Sequence, residues 1–408
     1  MLPAVERQFE DGCASAADES RREETRLPVA FVVTQSGNRA NGGVESLTEV
    51  LGRLRRVKPL VVTQLETEAT RRWRDSGSEV LVWPMKRPRP ASLLSTNLRM
   101  FRLIRSMNCR VVHCNDILAL WHASFGARLA GARVVFNVRN IKPAGQRYGW
   151  RWRVARRVSD RQLVLSNEMR GALARRLGVE DGAGGARPGK IEYIYSAVDR
   201  ERLSPAGAAE RAALRERLGI GAGVFAVGFV AAFEPRKAQL EFIKEAAPRL
   251  KKSLPQSRVF FIGDFAPGAN DYARQCQAAA RELALGESIS FAGYAPEMAQ
   301  WYRALDLVVV ASRNEGLARC MIESLACGTP VVSFDVCSAR EILDEGGCGV
   351  VVPAGDYETL VERITALAGD RDARERLGER GVAVARELFD PQEVAGRYER
   401  LYFSLIGE

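Results

Sequence analysis

Short apolar runs rich in Val, Ile, Leu and Phe alternate with helix-like segments along almost the whole chain, and this alternation constrains the fold more than any other feature. In the first half the runs are Leu27–Thr34, Leu60–Thr63, Glu79–Trp83, Arg110–His113, Val134–Val138 and Gln162–Ser166. In the second half they are Val224–Val230, Arg258–Ile262, Ile289–Phe291, Leu307–Ala311, Val331–Phe334 and Gly349–Val352. Strands joined through helices rather than tight turns run parallel, and a parallel sheet is covered on both faces. The pattern therefore predicts an α/β protein with two Rossmann-like doubly wound domains in series, binding ligands at the carboxyl ends of their strands, in a cleft between the domains. A length of 408 residues suits two or three domains at ~150 residues each. The expected division is a flexible leader (1–26), a first domain (27–203), a second domain (204–385) and a last helical stretch (386–408).

Composition excludes several classes. No apolar run approaches the ~18 residues of a membrane span. The first 26 residues are acidic, with Glu6, Glu10, Asp11, Asp18, Glu19, Glu23 and Glu24, which argues against a signal peptide. Eight scattered cysteines without a C-x-x-C pair point to free thiols in a reducing cytosol rather than to disulfides or zinc. Charge is uneven: Met1–Pro205 holds 36 Lys and Arg against 21 Asp and Glu, while the remainder is acidic on balance. Such asymmetry bears on partners, not on fold.

The densest chemistry lies in Ser312–Pro330, SRNEGLARCMIESLACGTP. It follows the strand Leu307–Ala311, ends in the helix stop Cys327-Gly328-Thr329-Pro330, and leads into Val331–Phe334. Glu315 is placed at a strand's carboxyl end and Glu323 about two turns into the following helix, roughly 12 Å away at ~1.5 Å per residue. The helix start between them offers N–H groups and a positive dipole end to an anion.

This stretch closely resembles the signature of the family 4 retaining glycosyltransferases of the GT-B fold, in Glu315-Gly316, Glu323-Ser324-Leu325-Ala326 and Gly328-Thr329-Pro330-Val331-Val332. The resemblance covers nearly the whole chain after Arg26 and is strongest over Val224–Pro353. It implies transfer of a sugar from a nucleoside-diphosphate sugar to an acceptor hydroxyl, with no cofactor and no metal. Glu315 would meet the donor sugar and Glu323 the ribose, with Gly316, Leu317 and Ala318 beside the diphosphate. Lys237, in Val230–Gln239, matches a family lysine that binds the diphosphate. Ala232 stands where the family often has arginine and Ala238 replaces a glycine, so Arg236 is a candidate for the missing cation. Gly42 and Gly43, opening a helix after the first strand, match a loop near the donor phosphates. Gly263, Gly293 and Tyr294 match positions near the nucleotide. Arg139 stands where the family often has a histidine, and is expected to bind an acceptor phosphate or the donor diphosphate; His113, which begins HCND at a strand end as in the family's comparable strand, is expected to meet the acceptor or the membrane. Glu341 matches a family glutamate that also reads as a helix N-terminal carboxylate. The stretch Pro391–Ile406 resembles a helix that crosses back to the first domain. A same-face route, in which a diphosphate oxygen assists the acceptor hydroxyl, needs no protein nucleophile.

Arg139–Arg161 is basic with interleaved aromatics. Arg151, Arg153 and Arg157 are expected to meet an anionic membrane or a phosphorylated acceptor, or else to form a solvated helix face. The expected partners are a nucleotide-sugar donor and a glycan or glycolipid acceptor, such as a lipopolysaccharide or polysaccharide precursor. No RNA-binding signature is present, and the expected location is cytoplasmic, peripheral to the membrane. Two rival readings remain: a GT-B sugar-nucleotide epimerase, poorly supplied by a chain with two histidines, and a catalytically silent binding module. Three motifs fail on context. Gly184–Lys190 lacks the Ser/Thr of a P-loop, Gly221–Ala226 precedes its strand, and Asp370-Arg371-Asp372 lies between helices, where aspartates cap.

Overall fold

The computed structural model describes residues 26–34, 42–85, 89–141, 146, 148–178, 190–264 and 271–408. The acidic leader and the P-loop-like 184–189 lie outside the described residues. From the amino end the elements are β1 (Leu27–Val33), α1 (Gly42–Leu51), β2 (Val57–Thr63), α2 (Glu68–Asp75), β3 (Glu79–Val82), α3 (Pro90–Ser106), β4 (Val111–Cys114), α4 (Ile117–Leu129), β5 (Arg133–Asn137), α5 (Trp150–Val158), β6 (Arg161–Val164), α6 (Asn167–Leu177) and β7 (Ile191–Tyr193). There follow α7 (Ala208–Arg217), β8 (Phe225–Val230), a single turn Pro235–Lys237, α8 (Gln239–Glu245), α9 (Ala247–Ser253), β9 (Ser257–Ile262), α10 (Asp271–Glu282), β10 (Ile289–Gly293), α11 (Met298–Ala304), β11 (Leu307–Val310), α12 (Arg319–Ala326), β12 (Val331–Phe334), a wide helical turn Arg340–Asp344, β13 (Gly349–Val352), α13 (Tyr357–Gly369), α14 (Arg371–Leu388) and α15 (Pro391–Ile406).

Two sheets form, in the orders β3-β2-β1-β4-β5-β6-β7 and β10-β9-β8-β11-β12-β13. Pairing is parallel from β3 through β6 and throughout the second sheet. Each sheet is doubly wound in the Rossmann-like manner expected from the alternating pattern. The chain divides into two compact units: the described residues to Val138 with Tyr148–Leu163 and Gln392–Glu408, and those of Arg139–Arg147 with Val164–Pro391.

β2 begins three residues before the run read from sequence, across Pro59. Pro59 pairs with Val29 of β1, while β3 begins only opposite Leu60, so the missing N–H costs no ladder bond on that side. In the first unit α15 packs on the β1–β4 core. Tyr402 Oη lies 2.9 Å from His113 Nδ1, and His113 stacks on Phe31 at 5.5 Å. The second unit's core is aromatic at its centre, where Phe229, Phe242 and Phe261 meet at 5.2–6.1 Å. Rings at these separations add edge-to-face and offset contacts to their area burial.

Candidate active site

The order of the second sheet reverses between β8 and β11: the chain moves outward from β8 to β9 and β10, then returns to β11 on the other side. A crevice opens at the strand carboxyl ends at such a reversal. The loops leaving β8 and β11 carry Arg236, Lys237 and Glu315, and the structure joins them. Glu315 is buried. Its Oε2 accepts from Arg236 Nη1 at 3.1 Å, and its Oε1 accepts from Ser312 Oγ at 2.7 Å and pairs with Lys237 Nζ. Glu234 holds the other side of Arg236 at 3.1 Å. Two cations thus share a buried carboxylate, a cluster that removal of one partner would unbalance by several kcal/mol, about 3–5.

Backbone geometry fixes this cluster. Ala238, directly after Lys237, is left-handed at φ 59° and ψ 32°. The glycine expected there from the resemblance thus has a steric reason, and this chain carries the conformation on alanine at a cost of about 1–2 kcal/mol. Gly316 lies against the 139–141 segment: a Cβ there would come within 1.9 Å of the Arg139 carbonyl oxygen. Asn314 Nδ2 donates to the Ile141 carbonyl at 3.0 Å. Arg139 is therefore brought to the Glu315 loop through its backbone; its side chain is half-buried.

The segment between the two glutamates differs from the helix expected. α12 starts only at Arg319, so Glu323 sits in its second turn, and Gly316–Ala318 form an irregular lead-in. The lead-in is pinned by Ser338, whose Oγ lies 2.6 Å from the Gly316 carbonyl, and Ala318 is extended at ψ 109°. Leu317 and Ala318 are buried. Glu323 is held at both oxygens: Arg319 Nε donates to Oε1 at 2.6 Å and Tyr302 Oη to Oε2 at 2.9 Å. Sequence reasoning missed both holders. Arg319 was legible as the i−4 partner of Glu323 on a helix. Tyr302 was not, since it arrives from α11. Burial pushes the Tyr302 hydroxyl well above its ordinary range, reinforced by the Glu323 charge, so it stays a donor. Burial likewise pushes the Cys320 thiol up to about 12, against the pull of Lys237, so it is not a ready nucleophile.

Gly263 and Gly293 meet at the ends of β9 and β10, where Gly263 N donates to the Gly293 carbonyl at 2.9 Å. Tyr294 beyond them is exposed. In the first unit, Gly42 and Gly43 open α1 after β1. Arg151, Arg153 and Arg157 lie exposed on α5. His113 corrects an expectation: at 1% exposure among Phe31, Tyr398 and Tyr402 it is a core side chain, not an acceptor or membrane contact. Both faces of β4 are covered, so its end does not surface there. Glu341 caps a helix other than its own, accepting from Asn167 N at 3.0 Å and Glu168 N at 2.5 Å at the start of α6, and from Tyr195 Oη. Asp370 caps α14, accepting from Ala373 N at 2.8 Å.

Sequence comparison matches the same two halves. The family described as Glycosyltransferase Family 4 matches residues 40–202, and that described as Glycosyl transferases group 1 matches 210–383. The chain belongs to the family 4-like glycosyltransferases of the GT-B fold. A D-inositol 3-phosphate glycosyltransferase of Kribbella flavida is 29% identical over 208 residues, 50% of this chain and 48% of that protein. Its namesake from Nocardia farcinica is 32% identical over 204 residues, 49% of this chain and 45% of that one. The chain thus spans about half the length of the curated relatives it matches. Among solved structures, Anabaena Alr3699/HepE in complex with UDP-glucose superposes with a TM-score of 0.78 at 20% identity, covering 93% of this chain and 100% of that one, a likeness of fold.

Proposed function

We propose that this chain is a retaining, metal-independent glycosyltransferase that moves a hexosyl group from a nucleoside-diphosphate sugar to the hydroxyl of a glycolipid, lipopolysaccharide or polysaccharide precursor. The observation that carries the reading is the joining of Glu315, Arg236 and Lys237 at the reversal of the second sheet, with Glu323 held one loop away. Departure of a nucleoside diphosphate develops negative charge, and positioned cations act where that charge appears. Lys237 and Arg236 would pass from Glu315 to the diphosphate, freeing the Glu315 carboxylate to accept from donor-sugar hydroxyls. Glu323 would accept from the ribose, and Arg139 would add charge beside the same phosphates. Gly263, Gly293 and the exposed Tyr294 would border the base. Two similar proteins guide the choice of ligand: Anabaena Alr3699/HepE forms a complex with UDP-glucose, and the Kribbella flavida relative is a D-inositol 3-phosphate glycosyltransferase. A phosphorylated acceptor also suits the basic first half.

Thermal unfolding with UDP-, GDP- and ADP-sugars tests the donor, because a ligand bound only by the native state raises apparent stability. A shift with one nucleotide series, followed by transfer with the anomeric configuration kept, is the expected result. Epimerised donor, or binding without turnover on any acceptor, would overturn it in favour of an epimerase or a silent binding module.

A further inference from the structure

Right-handed crossovers sort the helices of the first unit by direction of travel. The chain steps from β1 to β2 and β3 one way, so α1 and α2 cover one face; it returns to β4 and steps on to β5 and β6, so α3, α4 and α5 cover the other. The faces differ in charge. α1 and α2 contain Glu45, Glu49, Glu68 and Asp75 balanced by Arg71, Arg72 and Arg74, whereas α3, α4 and α5 contain eight arginines and no aspartate or glutamate. The second face also exposes bulk that water disfavours: Leu94 at 74%, Leu98 at 46%, Phe125 at 50%, Leu129 at 75% and Trp150 at 65%.

These side chains are arranged, not scattered. Leu94 and Leu98 lie at i and i+4 on α3, and Phe125 and Leu129 do so on α4. The two helices touch where the Asn97 amide accepts from Gly126 N and donates to the Trp121 carbonyl, each at 2.9 Å. Leu98 and Phe125 adjoin those two contact residues in sequence, so the stripes flank one seam. On α5, Trp152 turns onto Phe136 at 5.8 Å while Trp150 points to solvent under Arg151. Exposed arginines such as Arg102, Arg105 and Arg153 lie on the same three helices.

We propose that this face docks on a bilayer carrying anionic headgroups, with Leu94, Leu98, Phe125, Leu129 and Trp150 entering the interface and the arginines meeting the headgroups. Of the eight arginines Arg128 is paired with Asp160 at 2.9 Å; the excess of basic over acidic groups on these helices fits an anionic surface, and apolar side chains set among the arginines fit the boundary between headgroup and acyl chain. A nucleic acid would use the charge but not the exposed leucines. The inference deepens the transfer reading, on which it rests only for its purpose: it brings the enzyme to lipid-linked acceptors.

Co-sedimentation of the full chain with phosphatidylcholine vesicles, with and without phosphatidylglycerol, tests it. Binding is expected only with phosphatidylglycerol, falling at least about tenfold from low to high salt, since each basic residue near the surface is worth roughly fivefold. The quadruple variant Leu94→Ser, Leu98→Ser, Phe125→Ser, Leu129→Ser should unfold at the wild-type temperature and lose at least about a hundredfold in vesicle binding, the loss expected if only two of the four insert fully at on the order of tenfold each. Arg102→Glu with Arg105→Glu should lose about tenfold or more and flatten the salt dependence. Absence of wild-type binding to anionic vesicles overturns the proposal, as does wild-type binding by both variants, or capture of nucleic acid in place of vesicles. Transfer to a water-soluble acceptor, measured on the same proteins, separates the two readings. Vesicle binding without transfer sinks the enzyme reading alone, and transfer without vesicle binding sinks the docking alone.

Discussion

Replacing Glu323 with Gln gives a sharp test of the donor site, because the structure sets the size of the effect. A carboxylate offers about four acceptor positions. One is taken by Arg319 Nε at 2.6 Å and one by Tyr302 Oη at 2.9 Å, which leaves about two for the neighbouring hydroxyls of a ribose. A hydrogen bond to a charged group contributes about 1.5–3 kcal/mol, and a neutral one about 0.5–1.5. Removing the charge should then cost about 1–1.5 kcal/mol per ribose hydroxyl, together about 2–3 kcal/mol, or roughly 30- to 150-fold in affinity. Calorimetric titration with the preferred nucleoside diphosphate measures this loss. Titration with its 2′-deoxy analogue measures how much passes through the ribose: the deoxy penalty should be large in the wild type and small in Glu323→Gln. Because the substitution leaves the half-buried Arg319 without its counter-charge, thermal unfolding must first show a native fold. Tyr302→Phe is the independent variant, keeping the carboxylate but loosening it, with an expected loss of up to about tenfold and a reduced deoxy penalty. A folded Glu323→Gln protein with affinity within about twofold of wild type, or with the same deoxy penalty, would refute the ribose assignment.

Lys237→Ala should lower the turnover number at least ~10²-fold, the size of a single charge-stabilising donor, with a smaller change in donor affinity; unchanged turnover would move the phosphate contact to Arg236. Activity should survive exhaustive EDTA treatment, and strict dependence on Mg²⁺ or Mn²⁺ would overturn the metal-independent reading. Ala238→Gly should not incur the ~1 kcal/mol penalty that glycine carries in an ordinary helix, because φ is 59° there; an unfolding midpoint equal to or above wild type is expected, and a clear drop would refute the strain argument.

The twelve strands read from sequence are all present, the central ones because a strand buried on both faces leaves an apolar run that needs no partner to be seen. Their ends were less legible. Pro59 hid the start of β2, since whether a proline is tolerated depends on where the neighbouring strand begins. The three-residue β7 was not counted, being too short to show a period. At the site, Glu315 was legible as a carboxylate at a strand's carboxyl end, whereas Arg236 and Lys237 were reached only through the family resemblance. Their mutual pairing was not legible, because 78 residues separate Lys237 from Glu315. His113 was misread for the same reason: its partner Tyr402 lies 289 residues away. Glu341 looked like the cap of its own helix, and only the fold reveals that its carboxylate serves another.

That cap sets where this chain can be recombined with a relative. The two matched families meet between residues 202 and 210, which invites a crossover there. Such a chimera would take Glu341 from one parent and the start of α6 from the other. It would also separate Ser338 from Ser166, which lie 2.7 Å apart, and from the Glu168 carboxylate that accepts its N–H at 2.9 Å. Donor specificity should therefore transplant only when the graft begins near Val164 and carries α6 along. The structural unit of this chain begins some forty residues before the interval over which its sequence is recognised as a family.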